Sequence, residues 1–300
     1  PAEIAVTGKI TRAVLTNDEL KVNAQFNATI ETDLAPLQAY TTEPVSISLN
    51  GKITKTNQDL QLHLEPSSQV ALGALSLNQP IEVRSSAGLI NFGGDVSLSQ
   101  SANDPTIAPI ITLDVAIQSQ FDQLNAWTLA QPSKKGTALS KIALAKANTT
   151  IKGSINNVLI NGDITADDML LATFSLDGNF SDDLNANVNG ATHRPRLKIK
   201  ATDISLLDLW ASGLSLSLRD KVTAELIDGV VDYELSGELT ELSDLAQNDL
   251  KLSLALRDVT GEVNDFWLQD LNWQQHFNYS DGDVTTDARQ NNFSLALAEV

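Results

Sequence analysis

Few residues of this sequence are of the types that do chemistry. The chain has no cysteine, and its three histidines, His63, His193 and His276, lie far apart without the spacing of a metal site. The absence of cysteine excludes disulfides, thiolate metal sites and cysteine nucleophiles. Segment 213–217 lacks the last glycine of the GxSxG nucleophile motif and falls within an alternating, strand-like run. Phosphate-binding and zinc-protease motifs are also missing, so the sequence predicts a protein that is not an enzyme.

Acidic residues form the best candidate for a metal site. Asp281 and Asp283 flank a glycine and are followed by Asp287, an oxygen-rich group of the kind that binds calcium. The spacing of an EF-hand is missing, however, and Asp-Gly is a common hairpin turn. The acidic pairs at 167–168 and 182–183 are interpreted as loops. We therefore predict no metal and no cofactor. A pair of carboxylates acting on a sugar stays open as an alternative, although aromatic residues that could stack on a sugar are scarce.

The charge balance restricts the partners. The formal net charge is −18, with 38 acidic residues against 20 Lys and Arg. Nucleic acid is an unsuitable partner, because phosphate contacts require clustered Lys and Arg. Electrostatic attraction to anionic lipid headgroups is excluded for the same reason.

Alternation of apolar and polar residues with a period of two dominates the chain. Such segments are typical of antiparallel strands with one apolar and one wet face, so we predict an all-β, mainly antiparallel fold. Glycines recur at Gly8, Gly51 and Gly94 with a spacing of 43 residues, which indicates a degenerate repeat. Alternating runs begin at Leu20, Val45, Leu60, Leu113, Leu214 and Leu250.

A few short helices are predicted between the strands. Ser119 and Ser205 each begin a capping-box pattern, which predicts helices near 120–130 and 204–212, and a third is predicted at 240–248. Segments 99–109 and 131–137 are interpreted as loops, and 131–137 is a possible boundary within the chain. We interpret residues 1–300 as a fragment of a longer repetitive protein.

Aromatic residues concentrate in one segment. Five of the chain's fifteen aromatic residues lie between residues 266 and 279. Two interpretations stay open: a well-packed terminal layer, or the wide end of an apolar groove.

The C-terminal third resembles the YdbH family, which belongs with the AsmA-like and TamB-like proteins of Gram-negative envelopes. The resemblance is carried by the segments 250–254 (LKLSL), 257–261 (RDVTG), 266–273 and 293–297 (FSLAL). Segments 121–127 and 204–213 are similar to elements of the same group. The resemblance implies a periplasmic β-sheet curled into an open groove, a parent protein anchored in the inner membrane, and a role in phospholipid movement between the two membranes. A partner protein of the envelope is also consistent with it. An older association of the family with dicarboxylates is disfavoured by the net charge of −18.

Physical reasoning also favours a groove, because a sheet with one apolar face must hide that face or bind something apolar on it. We predict an elongated, curled, repetitive sheet that binds phospholipid or another apolar ligand. The alternative is a structural or adhesive β-solenoid or sandwich module with a closed core. The positions expected to face the lipid tails are Leu20, Val22, Phe26, Ile30, Val45, Ile47, Leu49, Leu250, Leu252, Leu254 and Leu256.

Overall fold

The computed structural model describes fourteen stretches of the chain and covers most of its length. The described residues are 3–16, 19–32, 45–56, 59–77, 82–100, 110–127, 138–154, 157–178, 194–219, 222–239, 248–264, 266–280, 283–286 and 292–296.

Almost all of these residues belong to one curled, open, antiparallel sheet. This confirms the predicted fold class. The seventeen strands are β1 (Glu3–Thr16), β2 (Glu19–Thr32), β3 (Val45–Lys55), β4 (Asp59–Leu72), β5 (Leu75–Leu77), β6 (Glu82–Ser85), β7 (Ala87–Ser99), β8 (Ile110–Trp127), β9 (Ala138–Ser154), β10 (Asn157–Ala166), β11 (Met169–Gly178), β12 (Arg196–Ser205), β13 (Ala224–Glu238), β14 (Asp249–Val263), β15 (Phe266–Ser280), β16 (Asp283–Thr286) and β17 (Asn292–Ala296).

Strands that follow one another in the chain are also neighbours in the sheet, with one interruption. The order is β1, β2, β3, β4, β7, β8, β9, β10, β11, β12, β13, β14, β15, and every pairing is antiparallel. The short strand β6 pairs with the end of β8 where β7 stops, and β5 pairs with β6. Both β16 and β17 pair with β15. Local pairing of this kind follows from short connections between antiparallel strands.

Within the described residues, the helices lie in one segment between β12 and β13. It consists of α1 (Leu206–Ala211), a 3-10 turn (Gly213–Ser215) and α2 (Leu216–Arg219). The helix predicted near 204–212 is confirmed, and Ser205 caps it by accepting a hydrogen bond from the backbone N–H of Asp208. The strand expected around 214–218 is wrong. The Ser212 hydroxyl accepts from the N–H of Leu214 instead, which stabilises a turn.

The helix predicted near 120–130 is also wrong, since β8 continues to Trp127. Ser119 pairs with a residue on each side, Ile90 of β7 and Ala147 of β9. A capping pattern contributes about 1 kcal/mol, which is less than the hydrogen bonds of two strand ladders. The third predicted helix, 240–248, lies outside the described residues except at Asn248. Most of loop 99–109 and the whole of 131–137 also lie outside them.

A proline bulge interrupts the N-terminal half of the sheet. The pairing of β4 with β7 shifts between Leu64 and Ser68, and its pairing with β3 shifts between Leu64 and Gln69, so both shifts span Pro66. Proline has no N–H for a ladder, so a bulge is the position that accepts it within a sheet. The Ser68 hydroxyl is fully buried and bonds both the N–H and the carbonyl of Asn50 at 3.0 Å. This contact anchors the bulge to β3.

Repeated glycines lie opposite large residues on neighbouring strands. A Cβ built on Gly162 would come within 2.5 Å of the ring of Phe174, its cross-strand partner. In the N-terminal half, position Phe26 pairs with Gly8 on one side and with Gly51 on the other. Gly162 therefore provides the space that the Phe174 ring needs, which gives this glycine a packing role.

Candidate functional site: the apolar face of the sheet

The strand register places all eleven predicted lipid-facing positions on one face of the sheet, here called the apolar face. Cross-strand partners in an antiparallel sheet share a face, as do alternate residues of one strand. One row of partners runs through Ile30, Ile47, Val70, Ile90, Ser119, Ala147, Ile164 and Ala172. A second row begins two residues further along β11, on the same face, and runs through Phe174, Ile199, Leu235, Leu252 and Phe277.

The apolar face is only half-buried over most of its described area. Ile47, Leu49 and the leucines of β14 at positions 250, 252, 254 and 256 are all of intermediate exposure. Ile164 is 38% exposed although β10 has a strand on each side. A sealed core would bury an aliphatic residue at such an interior position. Val45 differs, because it is 1% exposed and so has no surface left for a ligand.

Some residues of the apolar face are buried. Val158 and Ala172 are 6% and 4% exposed, and two small clusters are buried as well. One contains Ile142, Ala145 and Ala166, with Leu214 of the 3-10 turn packed against them. The other contains Ala201, Ile204 and Val231, with Leu206 and Leu209 of α1 packed against them. Both clusters therefore lie beneath the segment Leu206–Arg219, which we call the helical plug.

The helical plug lies on the inside of the curl. Its α1 contacts β12 and β13, while the 3-10 turn and α2 contact β9, which is separated from β13 by three strands. The plug approaches β9 so closely that a Cβ on Gly213 would overlap the carbonyl oxygen of Lys141. Only glycine fits there. A short segment that contacts widely separated strands of one sheet must lie on the inside of its curve. Because the plug makes these contacts from the apolar side, the apolar face is concave in this region.

Polar contacts hold the plug in its folded form. The Ser215 hydroxyl donates to the carbonyl of Trp210 at 2.7 Å, and the Ser212 hydroxyl donates to that of Leu209 at 2.7 Å. The Arg219 guanidinium donates to the carbonyls of Trp210 and Ser212 and to the Ser215 hydroxyl. A cation at these carbonyls stabilises the C-terminal end of a helix.

The aromatic segment 266–279 forms β15. Trp273, Phe277 and Tyr279 pair with leucines of β14 on the apolar face and are half-buried. Phe266 is 73% exposed and Trp267 is 43% exposed at the beginning of the strand. The interpretation of segment 266–279 as a well-packed terminal layer is therefore wrong for Phe266 and Trp267.

The opposite face of the sheet carries the charges. Five Lys or Arg side chains pair there with a carboxylate on a neighbouring strand or turn, at distances from 3.0 to 3.6 Å. His63 contacts Asp95 on this face at 2.8 Å. Such exposed pairs contribute little stability, but they make this face hydrophilic. The apolar face is therefore the one whose surface is unfavourable in water.

An ionic cluster on the charged face was not foreseen in the sequence. Arg257 of β14 binds Asp232 of β13 at 2.6 Å and Asp203 of β12 at 2.5 Å. The hydrogen bond from Arg257 lowers the pKa of the Asp232 carboxyl, and the N–H of Asp203, which donates to it at 2.7 Å, acts in the same direction. On the apolar face, burial raises the pKa of Tyr233, whose hydroxyl donates to the Leu171 carbonyl.

Three aspartates occupy bulges that line up across adjoining strands. Asp203, Asp258 and Asp270 all have positive φ, between 52° and 58°. The register shifts at each of them. The N–H of Asp258 donates to Asn272 on β15, and that of Asp270 donates to Thr260 on β14. Bulges increase strand bending and twist, so aligned bulges favour the curl of the C-terminal half.

The acidic metal candidate is only partly described. Asp283 begins β16 and pairs with Ser280 of β15. Residues 281, 282 and 287 lie outside the described residues, as do 182–183 and His193. Asp167 and Asp168 form the turn between β10 and β11, both with positive φ. Within the described stretches, no three His, Asp or Glu side chains are grouped to hold a metal ion.

Comparisons with protein-family models, with curated proteins and with solved structures find no match to this chain. In the part of the chain that the structure describes, no helix has the length and apolar character needed to cross a membrane.

Proposed function

We propose that the chain is a lipid-binding and lipid-conducting segment of a periplasmic β-groove, with phospholipid tails lying on the apolar face. The exposure of Ile164 carries the proposal. An aliphatic side chain in the interior of a large sheet, on its apolar side, is left 38% exposed. A bound hydrocarbon chain would remove that surface from water.

Burial energetics support an acyl chain as the occupant. Each buried methylene contributes about 0.8 kcal/mol. The face offers many similar aliphatic positions, from Ile47 on β3 to Leu252 on β14. A tail could therefore move from one strand to the next without meeting a single deep minimum. On this proposal the parent protein is YdbH-like, is anchored in the inner membrane outside this fragment, and works beside other envelope proteins.

A closed-core structural module is the competing proposal. The observation in its favour is the helical plug, beneath which Ile142, Ala166 and Val231 are buried as in an ordinary core. Val158 and Ala172 are buried outside the two clusters as well, but Ile164, two residues from Ala166 on the same face of β10, is 38% exposed.

Native mass spectrometry tests the lipid proposal. The chain is exported to the periplasm of a Gram-negative host, purified without detergent and measured intact. We expect adducts with the masses of phospholipids. A photocrosslinking amino acid at Phe277, on the apolar face, should capture lipid, whereas the same amino acid at His276, on the charged face, should not. Equal capture at both positions, or none with no adduct, would contradict the proposal.

A further inference from the structure

The tip of the β14–β15 hairpin exposes two aromatic side chains in succession. Phe266, the first residue of β15, is 73% exposed, and Trp267 is 43% exposed. They project from opposite faces, because successive residues of a strand alternate in direction. Phe266 pairs with Val263 of β14, and Trp267 pairs with Glu262. Exposed aromatic residues are typical of interaction surfaces, and Trp is strongly enriched among the residues that contribute most to binding.

The beginning of β13 holds the hairpin tip in place. The backbone N–H of Asn264, in the turn, donates to the carbonyl of Thr223 at 2.9 Å. The side-chain oxygen of Asn264 accepts from the N–H of Thr223, also at 2.9 Å. Asn264 has φ of 47°, a left-handed backbone that asparagine tolerates. Because the tip is already fixed, a partner that binds there loses little free energy to ordering it.

Two carboxylates lie on the same face of the tip as Trp267. Its cross-strand partner Glu262 is directly opposite Glu225 of β13, so the three side chains form one row. Like charges directly opposite each other destabilise a sheet. Within the described residues, neither carboxylate forms an ion pair. The row therefore places uncompensated negative charge beside an exposed indole ring.

Other carboxylates on the charged face are compensated. Asp114 pairs with Lys152 on the next strand, and Glu234 pairs with Lys198. The row at the tip is a strand end with an exposed Glu225, and small ligands prefer concave sites. An extended partner that carries a cation fits this surface better, because a guanidinium can stack on an aromatic ring and donate to carboxylates.

We propose that the hairpin tip docks a basic segment of a partner protein, with an Arg or Lys side chain stacked on Trp267 and bonded to Glu262 and Glu225. The net charge of −18 would speed the approach of such a segment. This inference goes beyond the lipid proposal and does not depend on it, since the row lies on the face opposite to Phe266.

A peptide in which arginine alternates with serine is the probe. In an extended chain every guanidinium then projects from one side. Fluorescence anisotropy of the labelled peptide at physiological salt measures affinity, and NMR of the tryptophan indole N–H groups locates the contact. We expect the peptide to shift the signal of Trp267, assigned by its loss in Trp267→Phe, and to leave those of Trp127 and Trp210 unchanged.

Variants of the row separate a specific contact from general attraction to an acidic protein. Trp267→Leu should weaken binding about two- to fivefold, the range of an exposed cation–π contact, and Trp267→Phe should weaken it less. Glu225→Gln with Glu262→Gln should weaken it roughly tenfold. The matched control is Asp114→Asn with Asp177→Asn, which removes the same formal charge at exposed positions of β8 and β11. It should change affinity by less than about twofold.

Thermal stability shows whether the two glutamates serve binding or the fold. Removing a like-charge pair should raise the melting temperature of the double glutamine variant, and a lower melting temperature would mean that the carboxylates are structural. Equal loss of affinity in the control, or no shift of the Trp267 signal, would show that the tip is not the docking surface. If Trp267 responds to phosphatidylcholine vesicles and not to the peptide, the tip contacts a membrane surface and the proposal is wrong.

Discussion

At the scale of single residues, Arg257 connects three strands of the charged face. Its guanidinium donates to Asp232 and Asp203, and the resulting hydrogen bond lowers the pKa of Asp232. A carboxyl whose pKa is lower in the folded chain stabilises the fold above its unfolded pKa, about 3.9. That stabilisation is lost as the pH falls through the lowered folded pKa.

We expect Arg257→Gln to raise the pKa of Asp232 toward its ordinary value and to reduce thermal stability at neutral pH. The stability difference between parent and variant should shrink below pH 4 and vanish once the pH has fallen through the lowered pKa of Asp232 in the folded parent, because the carboxyl is then protonated in both proteins. NMR titration of Asp232 and melting curves across this range measure the two effects. Arg196→Gln, which removes a more exposed pair with Glu238, is the matched control and should change both much less.

At the scale of elements, the aspartate bulges depend on an unusual backbone. Asp258 has φ of 54°, and the register shifts across it in the pairing of β14 with both β13 and β15. Left-handed backbone costs about 1–2 kcal/mol for a residue with a bulky Cβ and is tolerated best by Gly, Asn and Asp. We expect Asp258→Val to lower the free energy of unfolding by about that amount. Asp258→Gly should change it by less than about 0.5 kcal/mol, within the range of neutral surface changes.

Urea denaturation of the three proteins measures these differences. The control is Asp177→Val at an exposed position of β11 with ordinary strand backbone. Valine favours strands, so this change should not destabilise. Equal loss at positions 177 and 258 would show that the carboxylate, and not the backbone, is responsible.

The sequence predicted the strands well, but it predicted the helices and the bulges less well. The alternation of apolar and polar residues was sufficient to assign the apolar face of β14. A register shifted by one residue would turn all of its leucines toward water, so one register is strongly favoured. The bulges also leave a signal in the sequence: the apolar spacing changes from two to three between Leu256 and Val259, and between Ala201 and Ile204. The capping pattern at Ser119 misled because it is local, and pairing with β7 and β9 outweighs it. By contrast, Ser205 lies beyond the end of the β11–β12 ladder, where a helix has less competition.

The exposure of side chains on the apolar face could not be predicted from the alternation of apolar and polar residues. Ile142 and Ile164 are chemically identical and lie on adjacent strands, yet one is 7% and the other 38% exposed. The difference is made by the plug, which comes from a segment about fifty residues later in the sequence. Periodicity identifies the side of the sheet on which a residue lies but contains no information about what covers that side.

At the scale of the whole molecule, the exposure of the apolar face distinguishes an open groove from a closed core. An unpaired charge in a sealed core costs several kcal/mol, whereas a carboxylate that reaches water keeps most of its hydration. We expect Ile142→Asp to unfold the chain or lower its melting temperature strongly, because the plug covers Ile142. Ile164→Asp, at a position that is 38% exposed, should remain folded. Ile47→Asp and Leu252→Asp, on half-buried positions of the same face, should also fold.

Lipid capture completes this prediction. The folded aspartate variants should lose capture at the photocrosslinking positions nearest to them, because a carboxylate on the apolar face makes contact with a hydrocarbon tail unfavourable. Leu252→Asp should therefore abolish capture at Phe277, its cross-strand partner. Circular dichroism checks folding, and capture yield measures contact. A closed core predicts the opposite result, in which all four variants unfold alike and the parent captures no lipid, because the whole face would then be equally inaccessible to water and to ligand.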